Sequence, residues 1–261
     1  MTRRHFMRLL GACGVAGFTM NPFSARAANV RGPLLPWARL KFSGPGAPED
    51  SWAAGREGDL NLLDAIREQT SANVVKEWFI ADLTSLDSMT RFPFIFMHSN
   101  YAPDLNDAHR ANLREYLLRG GFLFAEDCVN SASRGDDFFR SMAEVHFPRM
   151  FPGAKLELLP YDHRVFHCFH HFQQGLPHMQ GVAHGLHGVT LDGRLLALLS
   201  PSDIHCGWTN GDVWFGHAKR VQAIQMGINI YLYAMTEGNL VNAQPVSVDQ
   251  STKVVSPPPT K

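Results

Sequence analysis

The hydrophobic pattern divides the chain into short apolar runs separated by helical stripes. Residues 31–58 are rich in Pro and Gly and hold one short strand, 38–42, before the turn Ser43-Gly44-Pro45-Gly46. Residues 59–69 then set Leu60, Leu63 and Ile66 at helical spacing, with Asp59 as the expected N-cap. Further strands are predicted over 73–80 and 92–97, and the second of these, Phe-Pro-Phe-Ile-Phe-Met, is apolar on both faces as a central parallel strand should be. A helix over 106–119 carries Leu113, Tyr116 and Leu117 on one stripe and stops at Gly120-Gly121, where glycine accepts the left-handed conformation. A fourth strand, 122–125, follows at once. Strand, helix and strand in this succession form a right-handed crossover, so the sheet should be largely parallel and covered on both faces.

Beyond it the pattern predicts a helix over 136–145, a strand over 155–159, a β-hairpin over 189–199 turning at Asp192-Gly193, and a long apolar helix over 218–235. Gly227 and Asn229 interrupt that last helix too much for a membrane span.

Composition adds the broad class. With 45% hydrophobic and 18% charged residues the chain is neither disordered nor collagen-like. The balance of 24 basic against 24 acidic groups lacks the excess a nucleic-acid binder carries. That neutrality is uneven. Residues 1–27 contain Arg3, Arg4, Arg8 and Arg26 and no carboxylate, so their removal leaves 20 basic groups against 24 acidic ones. Thr2-Arg3-Arg4-His5-Phe6-Met7, a weakly apolar run over 9–20 and the small-residue site Ala25-Arg26-Ala27 together resemble a twin-arginine export signal. The organisation expected is a signal peptide over 1–27, a linker over 28–36, an α/β domain over 37–240 and a disordered Pro, Ser, Thr and Val tail over 241–261, in a periplasmic protein without a transmembrane segment once matured. After cleavage Cys128, Cys168 and Cys206 remain. They allow one internal bridge at most, or serve as small apolar residues without a bond.

Four separated stretches carry a resemblance. They are 91–96; 113–127, ending Phe122-Leu123-Phe124-Ala125-Glu126-Asp127; Asp162-His163-Arg164-Val165-Phe166-His167; and Gly227-Ile228-Asn229-Ile230-Tyr231-Leu232-Tyr233. In this order they resemble the bacterial family called domain of unknown function 4159 over about 37–235. That family is similar to the class I glutamine amidotransferase-like superfamily. The resemblance implies a three-layer α/β/α flavodoxin-like fold with a largely parallel sheet, to which the hairpin is added. It implies no amidotransferase activity. Those enzymes hold a cysteine on a tight Gly-x-Cys-x-Gly turn, whereas Ala125-Glu126-Asp127-Cys128-Val129-Asn130 lacks the flanking glycines, and its neighbouring carboxylates disfavour a thiolate.

In doubly wound sheets ligands bind beyond the carboxyl ends of the strands. His98 and Asn100 fall there after the third strand, and Glu126 and Asp127 after the fourth. Asp127 either contacts a ligand or metal, or caps the following helix. Seven of the 13 histidines lie between His163 and His187, and His163, His167 and His171 are four apart. With Asp162 or Asp127 such imidazoles suit a divalent metal such as zinc, although interleaved Phe166, Phe169 and Phe172 suit a core equally, so no cofactor is assigned. Ser202, Asp203 and Trp208 match positions at which the family carries Ser, Asp and Trp, and Trp208 either stacks on a ligand or anchors a loop.

Three functions follow as expectations. The first is a periplasmic domain that binds a small polar or carbohydrate-like ligand through His98, Asn100, Glu126, Asp162, His167, Ser202, Asp203 and Trp208. The second is a hydrolase in which Asp127 and His163 activate water, with or without a metal. The third is a structural partner of an envelope protein.

Overall fold

The computed structural model describes residues 32–128 and 137–237. The signal peptide expected over 1–27 and the tail expected over 241–261 lie outside the described residues. The fold is α/β, with one seven-stranded, mostly parallel sheet in the order β2-β1-β3-β4-β7-β6-β5. β1 is Trp37–Lys41, β2 Trp78–Asp82, β3 Phe94–Ser99 and β4 Phe122–Asp127. β5 is Lys155–Leu158, β6 His187–Leu191 and β7 Arg194–Ser200. Strands β1 to β4 and β7 run parallel, and β6 lies antiparallel between β7 and β5. The β6–β7 turn uses Asp192 (φ 49°) and Gly193 (φ 78°), both in the left-handed region that a two-residue hairpin requires.

β3 and β4 are buried at every position, which is why their sequences do not alternate. Of the helices, α1 is Arg56–Gln69, α2 Leu86–Thr90, α3 Asp107–Leu118, α4 Asp137–Arg140, α5 Phe147–Met150, α6 Ile204–Trp214 and α7 His217–Thr236. A π-helical turn, Ser141–His146, joins α4 to α5. α1, α6 and α7 pack together as one group, and α3 packs with α2 and α5 as another.

Three expectations change. Asp59 does not cap α1. That helix starts three residues earlier from Gly55 (φ 64°), and Asp59 is buried inside it. The strand expected over 73–80 is shifted toward the carboxyl end as β2. The loop expected around Ser202 to Trp208 is the start of α6.

Strand alternation then decides what faces α1, α6 and α7. Trp37, Phe94, Phe96 and Tyr231 pack on one another, as do Phe96, Phe124 and Trp208. One step nearer the carboxyl rim, the same face carries Arg39 on β1, His98 on β3 and Glu126 on β4. Three polar side chains therefore stand at the end of an aromatic layer, all of them buried.

Candidate functional site: a buried polar cluster at the carboxyl rim

The cluster is built from five elements. β1 supplies Arg39, α1 Asp59, β3 His98, β4 Glu126 followed by Cys128, and the β7–α6 turn and first turn of α6 supply Asp203, His205 and Cys206. Arg39, Asp59, His98, Glu126, Asp203 and His205 are all buried, and the two cysteines are partly buried.

Arg39 grips Asp59 with two hydrogen bonds, Nε to Oδ2 at 2.6 Å and Nη2 to Oδ1 at 2.8 Å. Trp37 Nε1 donates to the same carboxylate at 3.0 Å. Arg39 Nη1 donates to the Trp52 and Ala54 carbonyls. Burial opposes ionisation of Asp59, but the Arg39 charge and hydrogen bonds override it and hold the carboxyl at about 2. Arg39 Nη2 also lies 2.8 Å from His205 Nε2. His205 Nε2 also lies 3.2 Å from Asp59 Oδ1, so it accepts from the guanidinium when unprotonated and donates to the carboxylate when protonated. Burial also lowers the His205 pKa, in keeping with a neutral ring. Gly55 makes room for that ring, since a Cβ there would fall 2.6 Å from His205 Cε1.

Glu126 closes the start of α6 from a distant strand. Its Oε1 accepts from Ser200 Oγ at 2.9 Å and from the Ile204 amide at 2.8 Å, and its Oε2 accepts from the His205 amide at 2.9 Å. Burial, followed by the nearby Asp203, pushes its carboxyl well above the ordinary range. Asp203 precedes α6 in the left-handed region (φ 55°), an uncommon conformation for a residue with a Cβ. Gln180 Nε2 donates to Asp203 Oδ2.

His98 stacks on Phe96 and lies with its ring centroid 4.1 Å from that of His205. Burial, then the neighbouring His205 and Arg39, keep its pKa well below the ordinary value. Neither of its ring nitrogens has a hydrogen-bond partner among the described residues. One potential ligand atom each from His98, Cys128 and Asp203 lie within 4.8 Å of one another. Cys128 Sγ is 3.9 Å from Cys206 Sγ, and the three cysteines among the described residues are unbridged.

A family model described as domain of unknown function (DUF4159) matches residues 37–235. The chain belongs to the DUF4159 family. No curated protein matches it.

Within this DUF4159 domain the residues singled out from sequence fall into separate places. His98, Glu126 and Asp203 meet in the cluster, and Asn100 is half-buried just beyond β3. Ser202 is buried beside them, where its amide donates to Ser200 Oγ, and it also borders a cleft of about 200 Å³ lined by Tyr161, Phe166, His178 and His184. Asp127 points to the opposite face of β4 from Glu126, and its Oδ2 accepts the Phe139 amide of α4 at 2.8 Å, a capping contact.

Asp127 and His163 are not brought together. His163 lies beside Tyr233, which packs on Phe122 at the amino end of β4, while Asp127 ends that strand about 16 Å away at ~3.3 Å per residue. His163 Nδ1 accepts the Val165 amide and caps a 3-10 turn. His167 contacts the Tyr161 carbonyl and lies near His171, and Asp162 is exposed. His163, His167 and His171 thus lie away from the rim cluster, whereas His178 and His184 border the cleft beside Ser202 and His187 pairs with Leu199 near the carboxyl end of β7. Trp208 is no stacking platform: it is fully buried, and its Nε1 donates to the Ala223 carbonyl at 2.8 Å.

Arg39, Asp59, His205 and Cys206 join the cluster without being among the site residues that the sequence predicts. A single arginine in the apolar strand Trp-Ala-Arg-Leu-Lys was the available signal, because a buried guanidinium requires a buried carboxylate.

No helix among the described residues is long and apolar enough to cross a membrane.

Proposed function

We propose that this DUF4159 protein is exported and binds a small polar ligand at the carboxyl rim of its sheet. One observation carries the reading: His98 is buried with two unpartnered ring nitrogens, among ionisable groups drawn from five elements. A buried polar atom without a partner costs roughly 1–3 kcal/mol, and packing alone would favour an apolar residue there. A ligand that offers a donor and an acceptor would recover this loss.

Several features support the details. The order β2-β1-β3-β4-β7 follows the 2-1-3-4-5 pattern of flavodoxin-like sheets, in which ligands sit beyond the strand ends. This supports the three-layer, amidotransferase-like reading of the fold. The non-amidotransferase reading is supported by Cys128, whose backbone is not left-handed as a strained nucleophile turn would require. Export is supported by the twin-arginine pattern of residues 1–27.

A hydrolytic reading is favoured by one feature. Asp203 occupies a left-handed strand-to-helix turn beside His98, a strained backbone conformation of the kind found at reactive sites.

The test is a thermal-shift screen of the purified chain against sugars, amino acids and nucleosides. A compound that raises the melting temperature of the parent protein and leaves His98→Leu unmoved supports the reading. The absence of any such compound counts against it.

A further inference from the structure

We propose that His98, Cys128, Asp203 and Cys206 form a binding site for a divalent transition metal of the zinc class. The inference rests on the reading that the rim cluster is the functional site, and it names an inorganic occupant for it.

Among the described residues, His98, Cys128 and Asp203 are the group of His, Cys, Asp and Glu side chains whose ligand atoms converge within 4.8 Å. Cys206 offers a fourth ligand beside them: its thiol lies 3.9 Å from that of Cys128. Two thiolates on one tetrahedral zinc, each at ~2.3 Å, stand ~3.8 Å apart, whereas a disulfide needs ~2.0 Å. The sulfur separation is therefore that of two thiolates on a shared ion, which would draw Cys206 toward the three converging side chains. The donor set of two sulfurs, one imidazole and one carboxylate suits a borderline-soft ion and disfavours magnesium or calcium.

The second observation is independent of that spacing. His98 is 2% exposed and lacks a partner for either ring nitrogen, so a ring nitrogen is available for an ion. The surroundings are also fixed. Glu126 holds the first amides of α6 and so positions Asp203 and Cys206, while Gln180 orients Asp203. Such outer contacts hold ligands in place at metal sites. Loading would release the thiol protons to solvent as the metal–sulfur bonds form.

The experiment uses the full chain, purified under reducing conditions. Zinc affinity is measured by competition with a chromophoric chelator, and cobalt is substituted to read thiolate-to-metal charge-transfer absorption. The expected result is one ion per chain with a cobalt–thiolate band. Cys128→Ser and Cys206→Ser should each lower that band and weaken binding by about 100-fold or more, the upper end of what losing an outer-shell contact costs. His167→Ala and His171→Ala should leave both unchanged. If a serine variant fails to fold, His98→Gln serves in its place, and the cobalt band of the parent protein already reports the thiolates. Folded, reduced protein without tight zinc, zinc bound as tightly after both cysteines are replaced, or a Cys128–Cys206 disulfide that forms while reduced protein takes no metal would each overturn the site. Any of these alongside a retained thermal shift from a polar compound removes the metal and leaves the ligand reading standing.

Discussion

Arg39 and Asp59 form a buried two-point ion pair that ties β1 to α1, with Nε–Oδ2 at 2.6 Å and Nη2–Oδ1 at 2.8 Å. Its Coulomb attraction is offset by the cost of taking both ions out of water, so the pair is no simple source of stability, but breaking it leaves one buried charge uncompensated. Asp59→Asn should therefore destabilise the domain by roughly 3–5 kcal/mol in chemical denaturation. An effect below about 1 kcal/mol would mean that the guanidinium finds another partner.

The same pair sets an acid limit. The Asp59 carboxyl is held at about 2 in the folded protein against an ordinary 3.8. The unfolded chain thus binds the proton more readily, and stability from this group is complete above about pH 4 and is lost as pH falls toward 2. Nearly two pKa units correspond to on the order of 2 kcal/mol. Denaturation of parent and Asp59→Asn proteins between pH 2 and 5 should show their stabilities converging toward the acid end. A constant difference across that range would assign the low pKa to some other group.

Glu126 supplies from β4 the capping that α6 lacks locally. Glu126→Ala strips acceptors from two helix amides and the Ser200 hydroxyl, and at roughly 1–3 kcal/mol for each buried group left unpaired it should be among the most damaging rim substitutions. Glu126→Gln keeps Oε1 but turns an amide N–H toward the His205 N–H, so it should cost about one such bond. Equal losses in the two variants, measured by urea unfolding, would contradict this division of roles.

How far the site could be read in advance follows from where each partner lies. β3 and β4 were legible because runs apolar on both faces suit a central parallel strand, and their ends placed His98 and Glu126 at the carboxyl rim. α6 was not legible: its first amides are satisfied from 78 residues away, Asp203 does not cap it, and Asn210 breaks its backbone geometry. Asp59 looked like a local N-cap because its true partner, Arg39, sits on another element. Asp127 and His163 were paired on chemistry alone, since nothing in their neighbouring residues says which rim a loop occupies.

Export can be tested without reference to the fold. The twin-arginine route reads the arginine pair itself, so Arg3→Lys with Arg4→Lys keeps the charge and removes the signal. In a bacterial host with that pathway, the parent protein should fractionate to the periplasm and the double variant should stay in the cytoplasm at similar abundance. Periplasmic recovery of both would point to a different route.

His98→Leu separates a residue kept for function from one kept for packing. The ring lies on Phe96 and against His205, and neither nitrogen is satisfied among the described residues. Leucine has a similar bulk and no polar atom to strand, so the variant should be as stable as the parent or more stable by up to about 2 kcal/mol. It should also lose ligand binding at the rim. This inverse relation is the mark of a site whose occupant supplies what the protein leaves unsatisfied. A leucine variant destabilised by about 2 kcal/mol or more would instead make His98 a structural histidine, with partners the free protein already provides.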